Sequence, residues 1–126
     1  MPIIKDTDNT IEITLKDQDG VAIDLSTLAG YVVEVYQKPN ILFDQFSQQV
    51  QTGYRTTNET DAVNGVFEIY LNAANTSKGQ VGREVFYEVK TLAVNANFDG
   101  ATEEHSGGEI SLGNLQSSVT KGQTFV

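Results

Sequence analysis

Apolar residues recur at every second position along much of this chain, the period that sends side chains alternately to two faces of an extended strand. Ile11, Ile13 and Leu15 alternate with Glu12 and Thr14, which predicts a strand with one buried face. Asp17-Gln18-Asp19-Gly20 supplies turn residues, and residues 21–23 return as a short partner. Residues 24–28 read as a short crossing segment. In residues 31–36, β-branched and aromatic types dominate. Tyr31, Val33 and Val35 share one face while Val32, Glu34 and Tyr36 share the other. Both faces carry apolar groups, so this strand is expected at the centre of a sheet.

Pro39-Asn40 breaks the pattern. Residues 41–46 resume it, with Ile41 and Phe43 opposite Leu42 and Phe46, before Gln48, Gln49 and Gln51 turn it polar. Residues 54–57 read as a continuing edge and 58–64 as a loop closed by Asn64-Gly65, a strong turn signal. Phe67, Ile69 and Leu71 mark one face of the next strand, and a single helical turn is expected near Ala73-Ala74. Residues 84–94 form the longest apolar segment, 96–108 an exposed loop or hairpin tip, and Glu109-Ile110-Ser111-Leu112 the last core strand. Residues 115–126 alternate weakly and close on the apolar pair Phe125-Val126.

No internal repeat or linker divides the chain, so 1–126 reads as one domain, with 1–8 and 115–126 as candidate assembly arms. About seven short strands between turn signals predict an all-β fold, an antiparallel sandwich, with a small closed barrel as the competing architecture.

Composition narrows the function. Eight Lys and Arg against 17 Asp and Glu give a net charge of -9. A phosphate-tracking groove or an anionic membrane surface needs clustered positive charge, so neither nucleic acid nor membrane is an expected partner. Cysteine is absent, which removes disulfides, thiolate metal sites and cysteine nucleophiles. The opening MPIIK lacks the basic and apolar stretches of a secretory signal, and apolar runs such as Tyr31-Val32-Val33 are too short to span a bilayer. Asn, Gln, Thr and Ser number 9, 9, 13 and 7. That density suits solvated sheet faces and long contact surfaces better than a catalytic cleft.

Candidate chemistry is sparse. His105, the only histidine, has adjacent carboxylates but no spacing that defines a metal geometry, and no recognisable nucleophile. Asp17-Gln18-Asp19-Gly20 starts like a calcium loop yet lacks the later ligand positions. A cation shared with Asp6-Thr7-Asp8-Asn9 is the only way these acids would form a site. Asn58-Glu59-Thr60 matches a glycosylation acceptor and reads as an ordinary loop, and residues 79–83 lack the phosphate-loop spacing and lysine. Neither catalytic residues nor a cofactor or metal is expected. Tyr36, Phe43, Phe46, Tyr54 and Tyr70 are candidates for an aromatic surface, whereas Phe67, Phe86 and Tyr87 read as core. Phe46 and Tyr54, standing among Gln, Ser and Thr, are the best contact anchors, joined by Phe125 and Val126.

Asp8-Asn9-Thr10 leading into residues 11–20, then Ile23-Asp24-Leu25, Gly65-Val66-Phe67-Glu68-Ile69, Gly82 before Phe86-Tyr87-Glu88-Val89, and Gly107-Gly108-Glu109-Ile110 together resemble a known pattern. It is that of the immunoglobulin-like β-sandwich modules of tailed-bacteriophage virion proteins, including the N-terminal domains of baseplate upper proteins. The resemblance covers most of the chain and implies a fold of that kind without catalytic residues. The long downstream region of receptor-presenting baseplate proteins has no counterpart here, which favours a capsid decoration protein or a tail or fibre adaptor over host attachment.

The expectation is therefore a non-enzymatic virion component, made in the host cytoplasm, that joins a multimeric assembly of capsid or tail and fibre subunits. Sheet edges would accept strands, with residues 1–5 and 115–126 as donors. The alternative is a carbohydrate-binding or adhesin-like sandwich, assisted by calcium at the acidic loops, although tryptophan is absent.

Overall fold

The computed structural model describes residues 3–28, 30–48, 54–95, 100–105 and 109–117. In chain order its strands are β1 (Asn9–Thr14), β2 (Gly30–Gln37), β3 (Ile41–Gln48), β4 (Arg55–Thr56), β5 (Asn58–Asp61), β6 (Val66–Leu71), β7 (Glu84–Asn95), β8 (Gly100–His105) and β9 (Ile110–Asn114), with one helical turn, α1 (Ala73–Thr76). A three-stranded sheet in the order β1-β6-β5 packs against a six-stranded sheet in the order β4-β3-β2-β7-β8, where β9 also pairs with β7. No barrel closes. Among the named strands, pairing is antiparallel except between β3 and β4.

The two facing sheets make an all-β sandwich, as the alternation predicts. β6 is the central strand of the small sheet, and β2 lies at the centre of the large one. A parallel bridge between Ile4 and Gln116 joins the first described residues to the last.

The core lies between the sheets and forms one cluster. Ile11, Ile13, Phe67, Ile69 and Leu71 face it from the small sheet, and Tyr31, Val33, Val35, Val85, Tyr87 and Val89 from the large one. Period two explains these directly. The exception is β3, where the register against β2 shifts between Val35 and Tyr36. That bulge reverses the alternation, so Phe43 and Phe46, three residues apart, both point inward and are 1% exposed. Tyr31 packs on Phe67 at a ring separation of 5.0 Å. Its buried hydroxyl is partnered by Thr57 Oγ1 at 2.8 Å and donates to Glu59 Oε2 at 2.9 Å.

Polar side chains tie the loops that close the ends. Gln37 is buried, and its amide nitrogen donates to the carbonyls of Gln80 (2.9 Å) and Arg83 (3.0 Å) while its oxygen accepts from Gln80 N–H (2.7 Å). Asn9 serves Ile4 in the same way, accepting from its N–H and donating to its carbonyl. Both substitute for backbone pairing that the loop cannot make.

Three expectations are corrected and one pair of alternatives is decided. Residues 58–61 form β5 rather than a loop, because backbone pairing to β6 needs no apolar alternation at an exposed edge. Of the loop and hairpin alternatives for residues 96–108, the hairpin holds: residues 100–105 form β8, antiparallel to β7, and are not loop. β9 is an edge strand with Ile110 exposed rather than a core strand. The candidate arms begin inside the fold: Ile3 and Leu115 are each 1% exposed, and burying such a side chain contributes about 1.5–3 kcal/mol. Lys5 N–H donates to the Gln116 carbonyl and Gln116 N–H to the Ile3 carbonyl, both at 2.9 Å.

Gly65 illustrates a close approach that only glycine allows. Its φ is +74°, and a Cβ there would lie 2.6 Å from the Leu15 carbonyl oxygen and 2.8 Å from that of Ile23. Gly20 has a φ of +80° with open space around it. Gly65→Ala is expected to lower unfolding free energy by about 3 kcal/mol and Gly20→Ala by about 1 kcal/mol. Urea denaturation of the two variants checks the difference.

Candidate protein interface

β1 pairs only with β6, and its second edge carries no strand among the described residues. An unpaired edge of this kind presents a row of N–H and carbonyl groups to any extended chain. Beside it, Ile3, Ile11, Glu12, Ser111 and Leu112 line a cavity of about 280 Å³ between β1 and β9. Ile3 and Ile11 are buried, Leu112 is half-buried, and Glu12 and Ser111 are exposed. The floor is apolar and the rim polar.

Local sequence builds this shape. In β9 the pairing to β7 slips between Ser111 and Asn114, and Gly113 at φ +85° absorbs the extra residue. Gly113 N–H donates to Ser111 Oγ at 3.1 Å. The bulge redirects the chain so that Leu115 enters the core, its N–H donating to the Arg83 carbonyl at 2.9 Å.

A second polar feature covers the outer face of the large sheet. Tyr36 on β2 stacks at a tilt against Phe86 on β7, with ring centroids 6.1 Å apart. Its hydroxyl lies between two carboxylate acceptors, Glu109 and, at 3.2 Å, Glu88 Oε1, with one proton for the pair. Lys38 Nζ sits 4.9 Å from the Phe86 ring centre and pairs with Glu109 Oε1 at 2.6 Å. This network fastens the start of β9 across β7 to β2. The Lys38 and Tyr36 hydrogen bonds hold the Glu109 carboxyl below the usual glutamate range. Burial and the adjacent carboxylates push the Tyr36 phenol up.

Of the proposed anchors, Phe46 and Tyr54 lie among the described residues. Phe46 is interior, which corrects its reading as a contact anchor, because the β3 bulge turns it inward. Tyr54 is half-buried just before β4. Phe125 and Val126 lie outside the described residues. The wider aromatic set is also divided: Phe43 is core, Tyr36 is on the outer face of the large sheet, and Tyr70 is exposed on the small sheet. Phe67 and Tyr87 are core as expected, whereas Phe86 is half-buried on the outer face.

The acidic segments flank the two ends of β1, roughly 20 Å apart along a six-residue strand, too far to share a cation. Asp17 Oδ1 instead accepts from the N–H groups of Asp19 and Val21, and Asp8 Oδ1 from Ala73 N–H. No group of three metal-ligating side chains converges among the described residues. His105 lies opposite Lys90 in the β7–β8 ladder. Sequence reasoning missed the groove because Ile11 and Leu112 read only as core and Ile3 as part of an arm; an edge is a property of strand order.

A carboxyl held below its ordinary value near 4.3 adds stability above that pH and loses it as pH falls through the folded-state value. Glu109→Gln is therefore expected to lower the melting temperature slightly near pH 7, the pair being surface-exposed. The two curves should converge as the pH falls below the ordinary glutamate range and through the lowered folded-state value; thermal melts at successively lower pH check the convergence. No family model matches this chain, and no curated protein is significantly similar to it.

Proposed function

We propose that this chain is a non-enzymatic structural subunit of a bacteriophage particle, located in the virion and docked on capsid or tail and fibre proteins as a decoration or adaptor. One observation carries the docking mode: the free edge of β1 runs beside an apolar groove floored by Ile3, Ile11 and Leu112. Strand addition there combines main-chain hydrogen bonds with side-chain burial. The virion assignment itself rests on the motif resemblance. The net charge of -9 keeps free copies mutually repelling before assembly.

The full-length tagged chain should co-sediment at a fixed copy number with particles of the encoding phage in a density gradient. A chain that remains at the top of the gradient while the particles band normally overturns the virion reading.

A carbohydrate-binding reading has one observation in its favour. Exposed Tyr70 lines a shallow cleft of about 260 Å³ with Asp8, Thr10 and Asn72, an aromatic face beside polar groups of the kind that binds sugars. Glycan-array binding abolished by Tyr70→Ala supports it, and a silent array overturns it.

A further inference from the structure

We propose that the outer face of the large sheet holds a docking cleft for one arginine side chain of a partner protein, its guanidinium lying on the Tyr36 ring and paired with Glu34. This surface belongs to the other sheet from β1 and goes beyond the strand-edge docking proposed above.

The cleft lies where β2 turns into β3. Glu34, Tyr36, Pro39, Asn40 and Leu42 border it, and its volume is about 260 Å³. Sites that enclose whole small molecules run to about 300–1,000 Å³, so this one suits a single long side chain. Toward the turn, Pro39 and Leu42 are exposed apolar groups. Two residues before Tyr36 on β2, Glu34 is a half-buried carboxylate. An apolar stem ending in a cation matches that combination.

Register leaves Glu34 without a countercharge. It stands directly opposite Glu88 on β7, and like charges so placed repel. Glu34 Oε2 accepts from Gln45 Nε2 at 2.8 Å, a neutral partner. The ion pairs among the described residues are Lys38–Glu109 and Arg55–Asp44, neither of which involves Glu34. Lys90, on the same face of β7, stands opposite Val32 rather than Glu34.

The molecule already contains a contact of the proposed kind. Lys38 Nζ lies 4.9 Å from the Phe86 ring centre and 2.6 Å from Glu109 Oε1, so that cation, ring and carboxylate form a trio. One strand over, Tyr36 and Glu34 repeat the ring and the carboxylate without the cation. Phe86 on β7 takes one side of the Tyr36 ring, and the cleft borders the ring toward β3. A guanidinium is preferred to an ammonium because its plane stacks on an aromatic ring while its fork meets a carboxylate. A residue within a chain is preferred to free arginine, whose own carboxylate would meet a protein of net charge -9.

Nuclear magnetic resonance of the isotope-labelled full chain tests this, with acetyl-Gly-Arg-Gly-amide added at about 150 mM salt to screen long-range attraction. Saturable shifts confined to the amides of residues 34–42 are expected. The citrulline peptide, similar in shape but uncharged, should leave them unmoved, and the lysine peptide should bind about threefold more weakly. Glu34→Gln should weaken arginine-peptide binding about fivefold, whereas Glu12→Gln on the small sheet should not change it. Leu42→Ser, at an exposed position, should also weaken binding and keeps the test open if Glu34→Gln disturbs the spectrum elsewhere. Absence of shifts at residues 34–42 overturns the proposal, as does an equal response to the citrulline or lysine peptide. Unchanged affinity in a folded Glu34→Gln chain overturns it too. Free L-arginine binding as tightly as the peptide overturns the assignment of the cleft to a partner protein.

Discussion

A three-stranded sheet cannot cover a six-stranded one. Strands lie about 4.8 Å apart, so β1-β6-β5 leaves part of the inner face of β4-β3-β2-β7-β8 without a facing strand. Apolar side chains there would meet water at a cost of about 1.5–3 kcal/mol each. Other segments supply the missing cover. Ile3 and Leu115 enter the core from the two ends of the described chain, and Leu25 enters from the 3-10 turn before β2. Gly79 lets the chain after α1 press directly on the Phe43 ring, where a Cβ would stand 2.4 Å from a ring carbon. The parallel bridge between Ile4 and Gln116 follows from this need for cover, since it holds both plugs in place.

Covering a core with loops raises a second difficulty, because irregular backbone carries polar groups that burial would leave unpaired. The abundance of Asn and Gln finds its use here. Gln37 and Asn9 present donor and acceptor together, the two functions of a peptide unit, and each satisfies a segment passing beside it. Asn75 Nδ2 donates to Asp44 Oδ2 at 2.7 Å, linking α1 to the β3 bulge. Among the described residues no buried side-chain polar atom is left without a partner. Amides that composition alone assigns to contact surfaces are, at these three positions, internal clamps.

The legible part of the fold was the part governed by period two. β1, β2, β6 and β7 follow from alternation, and the central place of β2 follows from apolar groups on both its faces. Sequence failed where side-chain pattern and backbone pairing separate. β5 is Asn58-Glu59-Thr60-Asp61, with no apolar alternation to announce it, and exists through its ladder with β6. Phe46 reads as an outlying aromatic on a polar strand until the bulge turns it inward. The groove was invisible for a different reason. Ile11 looks the same in sequence whether its strand has one neighbour or two, and only the sheet order leaves one side of β1 open.

That open side is tolerated in a particular way. Exposed edges invite indiscriminate pairing, and proteins commonly blunt them with charge, bulges or cover. Here Glu12 on β1 opposes Glu68 on β6, a like-charge cross-strand pair that weakens the sheet locally. It also places negative charge beside the edge, so that a second acidic body is repelled while a segment free of acids can approach. Specificity then comes from what the edge rejects as much as from what it accepts. The same unequal sheets that oblige the chain to plug its core with Ile3 and Leu115 leave the β1 edge beside a groove whose apolar floor includes one of those plugs.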